Sequence, residues 1–579
     1  MNTSRLLTWA ISAAFAIPPS LHATQQKHID VHKKGTTSMA QARALVEAPE
    51  TSALYAMKPK AMRKQMPKPF VSKSRVELNQ ATSAGLVFGG FPIVAPDKTF
   101  SGFDALDSTD SGEANGFVVE PPDQGLATNG EDILEPVNLA LRVFTKTGAA
   151  LTPPVSLNAF FGVPTAPNKD GTTDQLSDPR AFYDWESKRW FVTILEYATT
   201  PAGNLSGGSE VLVAVSDTSD VLGSFTVQSI DVSDASFGQC PCLGDQPLLG
   251  LNKDGVYLNT NEYSNTTGFF QTALLIAVSK RDLIAGSSSV SAAGFDGLPV
   301  AEGQAFSIQP SFPSPGTSTT ENRGTEYLVS SLDFTGTVDN RLAVWSLTNT
   351  QSLNGSVPNL NLQVTVITTQ EYGQPVPAVQ RPGSYPLGQS LGEPEEAIDT
   401  GDDRLQQVFY SQGKLYTGLT TVLLEPKETT GPRAGAAWFA IEPNATFASL
   451  SAKIWKQGLI GIDDGSVMYP AFAVNAAGDG VIAFSLTGQN YFPSTGYVDF
   501  SKGSVSPKVH LAGIGQTPDD GFSGYPEFGG GGVGRWGDYS AAMVSPNGDL
   551  WMAAEYIPNT FSRPRTKYTN WGTFIYQVH

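Results

Sequence analysis

The chain has 579 residues, of which 40% are hydrophobic and 16% charged, with 58 Gly, 40 Pro and only two Cys. Gly and Pro stay below the level that marks disorder, and 31 Phe with 18 Tyr can fill a large core. The formal net charge is −18, and an acidic body lacks the basic surface that phosphate binding needs, which excludes nucleic acid as a partner.

Residues 1–23 read as a signal peptide. Arg5 supplies the positive start, an apolar stretch runs from Leu6 to Ile17, and Ala23 offers a small residue for cleavage. That stretch is too short to span a bilayer, and no later run of 18 apolar residues follows. A secreted protein, extracellular or periplasmic, is expected, with no transmembrane segment. Residues 24–84 are basic: positions 25–80 hold eleven Lys/Arg against four Asp/Glu, whereas residues 81–579 carry a net −26. With little apolar periodicity, residues 24–84 are expected to be a disordered leader or pro-segment. It could remain a solvated tail, bind an anionic surface or fold back on the acidic body.

From about residue 125 one pattern recurs at intervals of roughly 50–70 residues. A short apolar strand, a tight turn rich in Asn, Asp, Gly or Ser, and a longer strand often ending in Glu-Tyr are followed by two more strands. The best copies are AFYDWESKRWFVTILEY (181–197), LLGLNKDGVYLNTNEY (248–263) and AAMVSPNGDLWMAAEY (541–556). The turns WESK, NKDG and SPNG suit hairpins, because these residues tolerate positive φ or bond their own backbone. Units begin near 125, 177, 244, 306, 396, 466 and 536. Antiparallel four-stranded units at this spacing predict an all-β fold: a single β-propeller of about seven blades over residues 85–579. The last unit shows only three strands before His579, so the segment 85–100 is expected to supply the fourth and close the ring. A solenoid or tandem sandwiches are the competing architectures. A monomer is expected.

Cys240 and Cys242, in QCPCLG, are expected to pair as a local disulfide; free thiols or a metal are the alternatives. The histidines are His22, His28, His32, His510 and His579. A Ser-His-Asp or Cys-His site would therefore need His510 or His579, and a histidine-rich zinc site has too few donors. His510 lies in the strand-like run KVHLAGIG, where a packed or surface histidine is the usual outcome.

Candidate site residues fall at matching points of separate repeats. One set is Asp178 and Arg180 (DPR), Asp245 (GDQP), and Arg535, Trp536, Asp538 and Tyr539 (RWGDYS). A ring would gather them at one end of its channel, with Trp536 as a binding residue; the bland alternative is that they fix blade-to-blade turns. A second set is Glu196, Glu262 and Glu555, each followed by Tyr. Paired carboxylates could run acid/base glycoside hydrolysis or hold Ca²⁺. The alternative is that each Glu bonds a neighbouring strand while its Tyr packs between blades.

Several longer stretches carry a family likeness: PPD (121–123) with VN (137–138), DPRAFYDWESKRWFV (178–192), CPCLGDQPLLGLNKDGVYLNTNEY (240–263) and GRWGDYSAAMVSPNGDLWMAAEY (534–556). On these the chain resembles secreted, sialidase-like (neuraminidase-like) β-propeller proteins. The resemblance implies a propeller and says little about reaction. The Asp-box and the F-R-I-P segment of true sialidases are absent, so their catalytic set has no matching positions here. Two functions stand side by side: a binding or scaffolding module for glycan or protein ligands at the channel face, and a sialidase-like glycoside hydrolase using carboxylate, Arg and Tyr residues at the channel mouth.

Overall fold

A computed structural model describes residues 26–45, 84–97, 99–333, 336–424, 426, 431–559 and 565–579. The expected signal peptide lies outside the described residues. The chain is mostly β, and most of its described strands follow one another in antiparallel units of four, the fourth and fifth units being joined in parallel into one eight-stranded sheet. The first is Ala127–Thr128, Asp132–Val137, Ala140–Thr145 and Val155–Ser156. The second is Thr173–Asp184, Arg189–Thr199, Leu205–Ser216 and Ser224–Asp231. The third runs Cys242–Leu251, Gly255–Ser264, Phe270–Ser279 and Ala292–Phe295. The fourth is Gln309–Pro313, Thr325–Ser331, Val338–Thr348 and Asn361–Gly373. The fifth is Leu405–Ser411, Lys414–Leu423, Arg433–Ala445 and Leu450–Ile460. The sixth is Gly465–Val474, Asp479–Gly488, Tyr491–Ser501 and Val509–Leu511. The seventh joins Ala541–Val544, Leu550–Tyr556 and Gly572–Val578 to Ser101–Asp107 from the other end of the chain.

The fourth strand of the last unit is therefore 101–107, not the expected 85–100. The expected segment is spent elsewhere: Ile93–Val94 pairs in parallel with Val509 and His510 on the sixth unit, and Val87 and Phe91 bridge to Leu424 and Ile462. Alternation explains the difference. In Ser101–Asp107, Phe103 and Ala105 pack against the core and Leu106 is buried, whereas Gly89 and Gly90 leave 85–100 no comparable run. The first strand of each unit touches the first strand of the next, and Ala541–Val544 of the seventh touches Ala127–Thr128 of the first.

The apolar side chains of these first strands share one cluster. It takes in Phe182, Leu249, Phe312, Phe409, Phe472 and Met543, one from each of the second to seventh units. Phe182 stacks on Phe312 with centroids 4.7 Å apart, and Phe312 lies 6.2 Å from Phe409. Phe182 and Phe312 belong to units that are not neighbours in sequence, so their contact joins the first strands of the second and fourth units through aromatic rings.

Part of the basic N-terminal stretch, expected as a disordered leader, is strand. Val31–Ser38 adds a fifth strand to the second unit against Ser224–Asp231, and Lys27–His28 adds one to the third against Ala292–Phe295. Of the expected outcomes, 26–45 folds back on the acidic body; residues 46–83 lie outside the described residues. The pairing of Cys240 with Cys242 is present. Among the described residues no helix is long and apolar enough to cross a membrane.

Phe312→Ala removes the ring shared by both contacts. It should cost about 3–5 kcal/mol of unfolding free energy, read by guanidinium denaturation, with little loss if the contact is peripheral.

Candidate functional site

A recurring backbone defect sets the polar end of the first strands. In the second unit Asp178 and Pro179 together face only Ile194, because the register steps from Thr193↔Arg180 to Leu195↔Ser177. The third unit repeats this with Gln246 and Pro247, and the sixth with Tyr469 and Pro470. Each bulge opens with a left-handed residue: φ is 58° at Asp178, 48° at Gln246 and 56° at Tyr469. A bulge needs no ladder hydrogen bond from its proline, so X-Pro fits where a regular strand would reject it. Beyond the bulge the strands present the apolar cluster. In the second unit Asp178 stands in the bulge itself with Arg180 just after it, and in the third Asp245 stands just before it.

The structure brings Asp178, Arg180, Asp245, Arg535, Asp538 and Tyr539 within electrostatic reach of one another. Asp178 is buried, and its amide donates to Asn138 Oδ1 at 3.0 Å. Asn138 Nδ2 donates to Asp123 Oδ2 at 2.7 Å, and Asp123 Oδ1 accepts from the Asp538 amide at 2.6 Å. Arg535 Nη2 lies 3.3 Å from Asp538 Oδ2. The Arg180 guanidinium stacks 3.3 Å over the Tyr539 ring, whose hydroxyl donates to Pro179 O at 2.8 Å. Arg404 grips Asp402 with Nε and Nη2 at 2.7 and 2.6 Å, and its Nη1 reaches Gln246 Oε1. A small cavity of about 20 Å³ lies among Gln246, Gly401, Asp402, Arg404, Gln406, Tyr469 and Asp538.

Burial and mutual repulsion raise Asp123, Asp178 and Asp245 above the usual carboxylate range. Asp245 is pushed up to about 8, by burial first and then by Asp178, against the pull of Arg404. Asp178 rises through burial and Asp538, and Asp123 well above its usual range through burial, Asp538 and Asp178. Burial lowers Arg180. It acts on Arg535 too, but Asp538, Asp123 and Asp399 outweigh it and raise that guanidinium.

Not every polar atom is spent. Arg180 Nε and Nη2 and the Tyr197 hydroxyl are buried without a hydrogen-bond partner. Tyr197 is raised by burial and then by Asp178 and Asp245, and Tyr263 by burial and Asp245, so both rings face the acid cluster.

The expected Glu set behaves differently. Adjacent strand residues point to opposite faces, so with Tyr197 and Tyr263 turned to the centre their glutamates turn away. Glu196 stands directly across from Glu210 on the neighbouring strand, and Lys34 of the N-terminal strand bridges them at 3.5 and 2.8 Å. Glu196 also lines a second, larger cavity of about 600 Å³, with Lys34, Phe161 and Asp174. Glu262 is fully buried and accepts from Thr260 Oγ1 at 2.5 Å. Glu555 is buried and accepts from the Gly537 amide at 2.6 Å. The three have separate charged neighbours and form neither a paired-carboxylate site nor a Ca²⁺ cage. Trp536, expected to bind ligand, is 1% exposed, packs with Met468, Tyr469 and Trp571, and donates its indole N–H to Ser485 Oγ at 3.1 Å. It has no open face. Asp123, Asn138, Gln246, Asp402, Arg404 and Tyr469 adjoin this cluster and were not among the expected residues.

No family model matches the chain, and no curated protein matches it by sequence. Three similar solved structures share low identity with the chain. The endosialidase of phage phi92 is 10% identical, with 84% of this chain and 70% of that one covered and a TM-score of 0.30. An α-L-arabinanase of Penicillium chrysogenum is 10% identical over 71% of this chain and 95% of that one, with a TM-score of 0.31. NanB sialidase of Streptococcus pneumoniae is 10% identical over 84% and 71%, with a TM-score of 0.32.

The raised Asp245 has a pH consequence. The folded state holds its proton up to about pH 8, whereas the unfolded chain releases it near 4, so its contribution to stability falls as pH rises between these values. Asp245→Asn should remove up to about 1.4 kcal/mol per pH unit of that decline and stabilise the protein at pH 8 relative to pH 5. Denaturant unfolding of both proteins at the two pH values checks this; parallel pH profiles would refute it.

The Lys34 bridge gives a second expectation. Lys34→Ala leaves Glu196 and Glu210 facing each other unscreened, costs about 1 kcal/mol, and should speed proteolytic release of residues 26–45, followed by mass spectrometry.

Proposed function

We propose that residues 85–579 form one propeller of seven blades, closed by 101–107, in a secreted protein that binds a glycan at the polar mouth of its channel. The observation that carries the reading is the set of unspent donors at that mouth: two nitrogens of Arg180 and the hydroxyl of Tyr197, buried and unpartnered beside Asp178 and Asp245. Buried donors without acceptors cost free energy, and a ligand rich in hydroxyl or carboxylate oxygens supplies what they lack. A purely structural brace would have its hydrogen bonds closed within the protein, as Asp123 and Asn138 do. The sialidase-like resemblance extends to architecture in this reading, since the three guanidinium groups present, Arg180, Arg404 and Arg535, stand at no motif-matched positions.

One observation favours hydrolysis as a second reading. Asp245 keeps its proton to about pH 8, which suits a general acid that protonates a leaving oxygen.

Glycan-array screening followed by calorimetry on the best hit tests the first reading. Arg180→Ala should weaken binding about 10- to 100-fold, the effect of removing a charged hydrogen-bond donor. No glycan bound, or binding indifferent to Arg180, would reject it. Fluorogenic glycosides assayed with Asp245→Asn and Asp538→Asn as controls test the second; turnover no greater than in those variants counts against hydrolysis.

A further inference from the structure

We propose that Asp97, Asp499 and His510 form a binding site for one divalent transition-metal ion of the zinc class. The three lie outside the central cluster, where the N-terminal strand Ile93–Val94 joins the sixth unit. One ligand atom from each falls within 4.8 Å of the other two. His510 Nε2 is 3.1 Å from Asp499 Oδ2. Two donors bound about 2.0–2.1 Å from a tetrahedral ion stand about 3.3 Å apart, so this spacing already matches an occupied edge.

The hydrogen bonding of the imidazole supplies the independent argument. His510 Nδ1 lies 3.0 Å from the backbone oxygen of Ala95. A carbonyl oxygen only accepts, so Nδ1 donates to it and Nε2 is the ring nitrogen turned toward Asp499. Metal-ligating histidines characteristically give their other N–H to a backbone carbonyl or carboxylate, which fixes both tautomer and ring direction. The ring is further held by Tyr497, stacked at 4.8 Å with planes 14° apart. The Tyr497 hydroxyl in turn accepts from the Asp97 amide at 3.3 Å, which places Asp97 at the mouth of the site.

The donor set selects the ion. One imidazole and two carboxylates carry a net −2, balanced by a divalent cation, and a nitrogen donor disfavours Ca²⁺ and Mg²⁺, which prefer oxygen cages. His510 has a side chain 6% exposed, Asp499 one that is 36% exposed, and Asp97 is exposed. Three protein donors on one side with solvent on the other leave a position for water. An ion there would tie Asp97 to the sixth unit only four residues before Ser101–Asp107 enters the seventh. It would brace the segment that completes the last sheet.

The test uses untagged, full-length secreted chain stripped with EDTA and dialysed. Zn²⁺ titration by calorimetry should give one ion per chain and raise the melting temperature. Asp97→Asn, an exposed change that leaves the fold alone, and His510→Gln should each lower the affinity at least tenfold. His579→Gln, which removes the exposed His579–Asp549 pair at the C-terminus, should leave it unchanged. The proposal is overturned if no stoichiometric binding occurs, if Asp97→Asn binds as well as the parent, or if the effect follows His579. It is equally overturned if the metal-free protein is insensitive to Zn²⁺ but loses stability as pH rises through the histidine range, for then a second proton on His510 fills the role.

Discussion

The bulge that opens the first strands is the constraint from which the rest of the molecule follows. At Asp178-Pro179, Gln246-Pro247 and Tyr469-Pro470 two residues are fitted against one, and the leading residue is left-handed. Strand alternation would otherwise send the same face to the middle along the whole strand. The extra residue resets that phase. Beyond it Phe182, Leu249 and Phe472 join one apolar cluster; in it or just before it stand Asp178 and Asp245, which repel one another. Left-handed backbone outside glycine costs about 1–3 kcal/mol and tends to persist where surrounding structure holds it for a purpose. Here it sets acidic residues apart from the apolar cluster within a few residues.

Charge is organised around the same separation. The body carries a net −26, and burying part of that charge near the centre would be ruinous if all of it stayed ionised. Two devices relieve it. Arg404 and Arg535 compensate Asp402 and Asp538 directly, and Asp123, Asp178 and Asp245 hold their protons more firmly than free carboxyls do. At the rim a third device operates. The N-terminal strands bring Lys34 to Glu196 and Glu210, and Lys27 to Asp234 and Asp296, so the basic stretch is a counter-charge as well as an added edge strand. Covering the outer edges of the second and third units also removes two templates for edge-to-edge aggregation.

The repeat was legible because hairpin turns and apolar blocks are local. WESK, NKDG and SPNG mark their hairpins, and unit starts read from sequence fall within a few residues of the observed strands in most units. The fifth is the exception: 396–404 is loop, its Ala397–Ile398 pairing with Val533–Gly534, and the strand begins at Leu405. What sequence could not supply was long-range partnership. Ser101–Asp107 and Ile93–Val94 are short runs whose partners lie hundreds of residues away, so nothing local decides which of them completes the last sheet. The recurring Glu-Tyr pairs were visible, but alternation gives a site to only one member of each pair. In the second and third units it went to Tyr197 and Tyr263, with Glu262 sealed in the interior. A usable signal was present in the X-Pro dipeptides at 178–179, 246–247 and 469–470, since proline near the start of a strand otherwise out of character marks a bulge.

The remaining question about the mouth is one of proton inventory. Hydrolysis of a glycosidic bond by two carboxylates needs their proton affinities pushed apart, one acid kept neutral and one base kept charged. Asp245 meets the first condition, yet Asp178 and Asp123 are raised with it, and all three owe the rise to burial first. Shared burial moves acids together instead of apart. The asymmetry has to come from cations: Arg535 sits against Asp538 and Arg404 against Asp402, while Asp245 has no guanidinium in direct contact among the described ion pairs. A ligand oxygen that draws Arg180 from the Tyr539 ring toward the centre would strengthen this asymmetry, and a neutral sugar that merely fills the cavity would not. In the proposed reading, the hydrogen bonds left open on Arg180 decide between binding alone and hydrolysis.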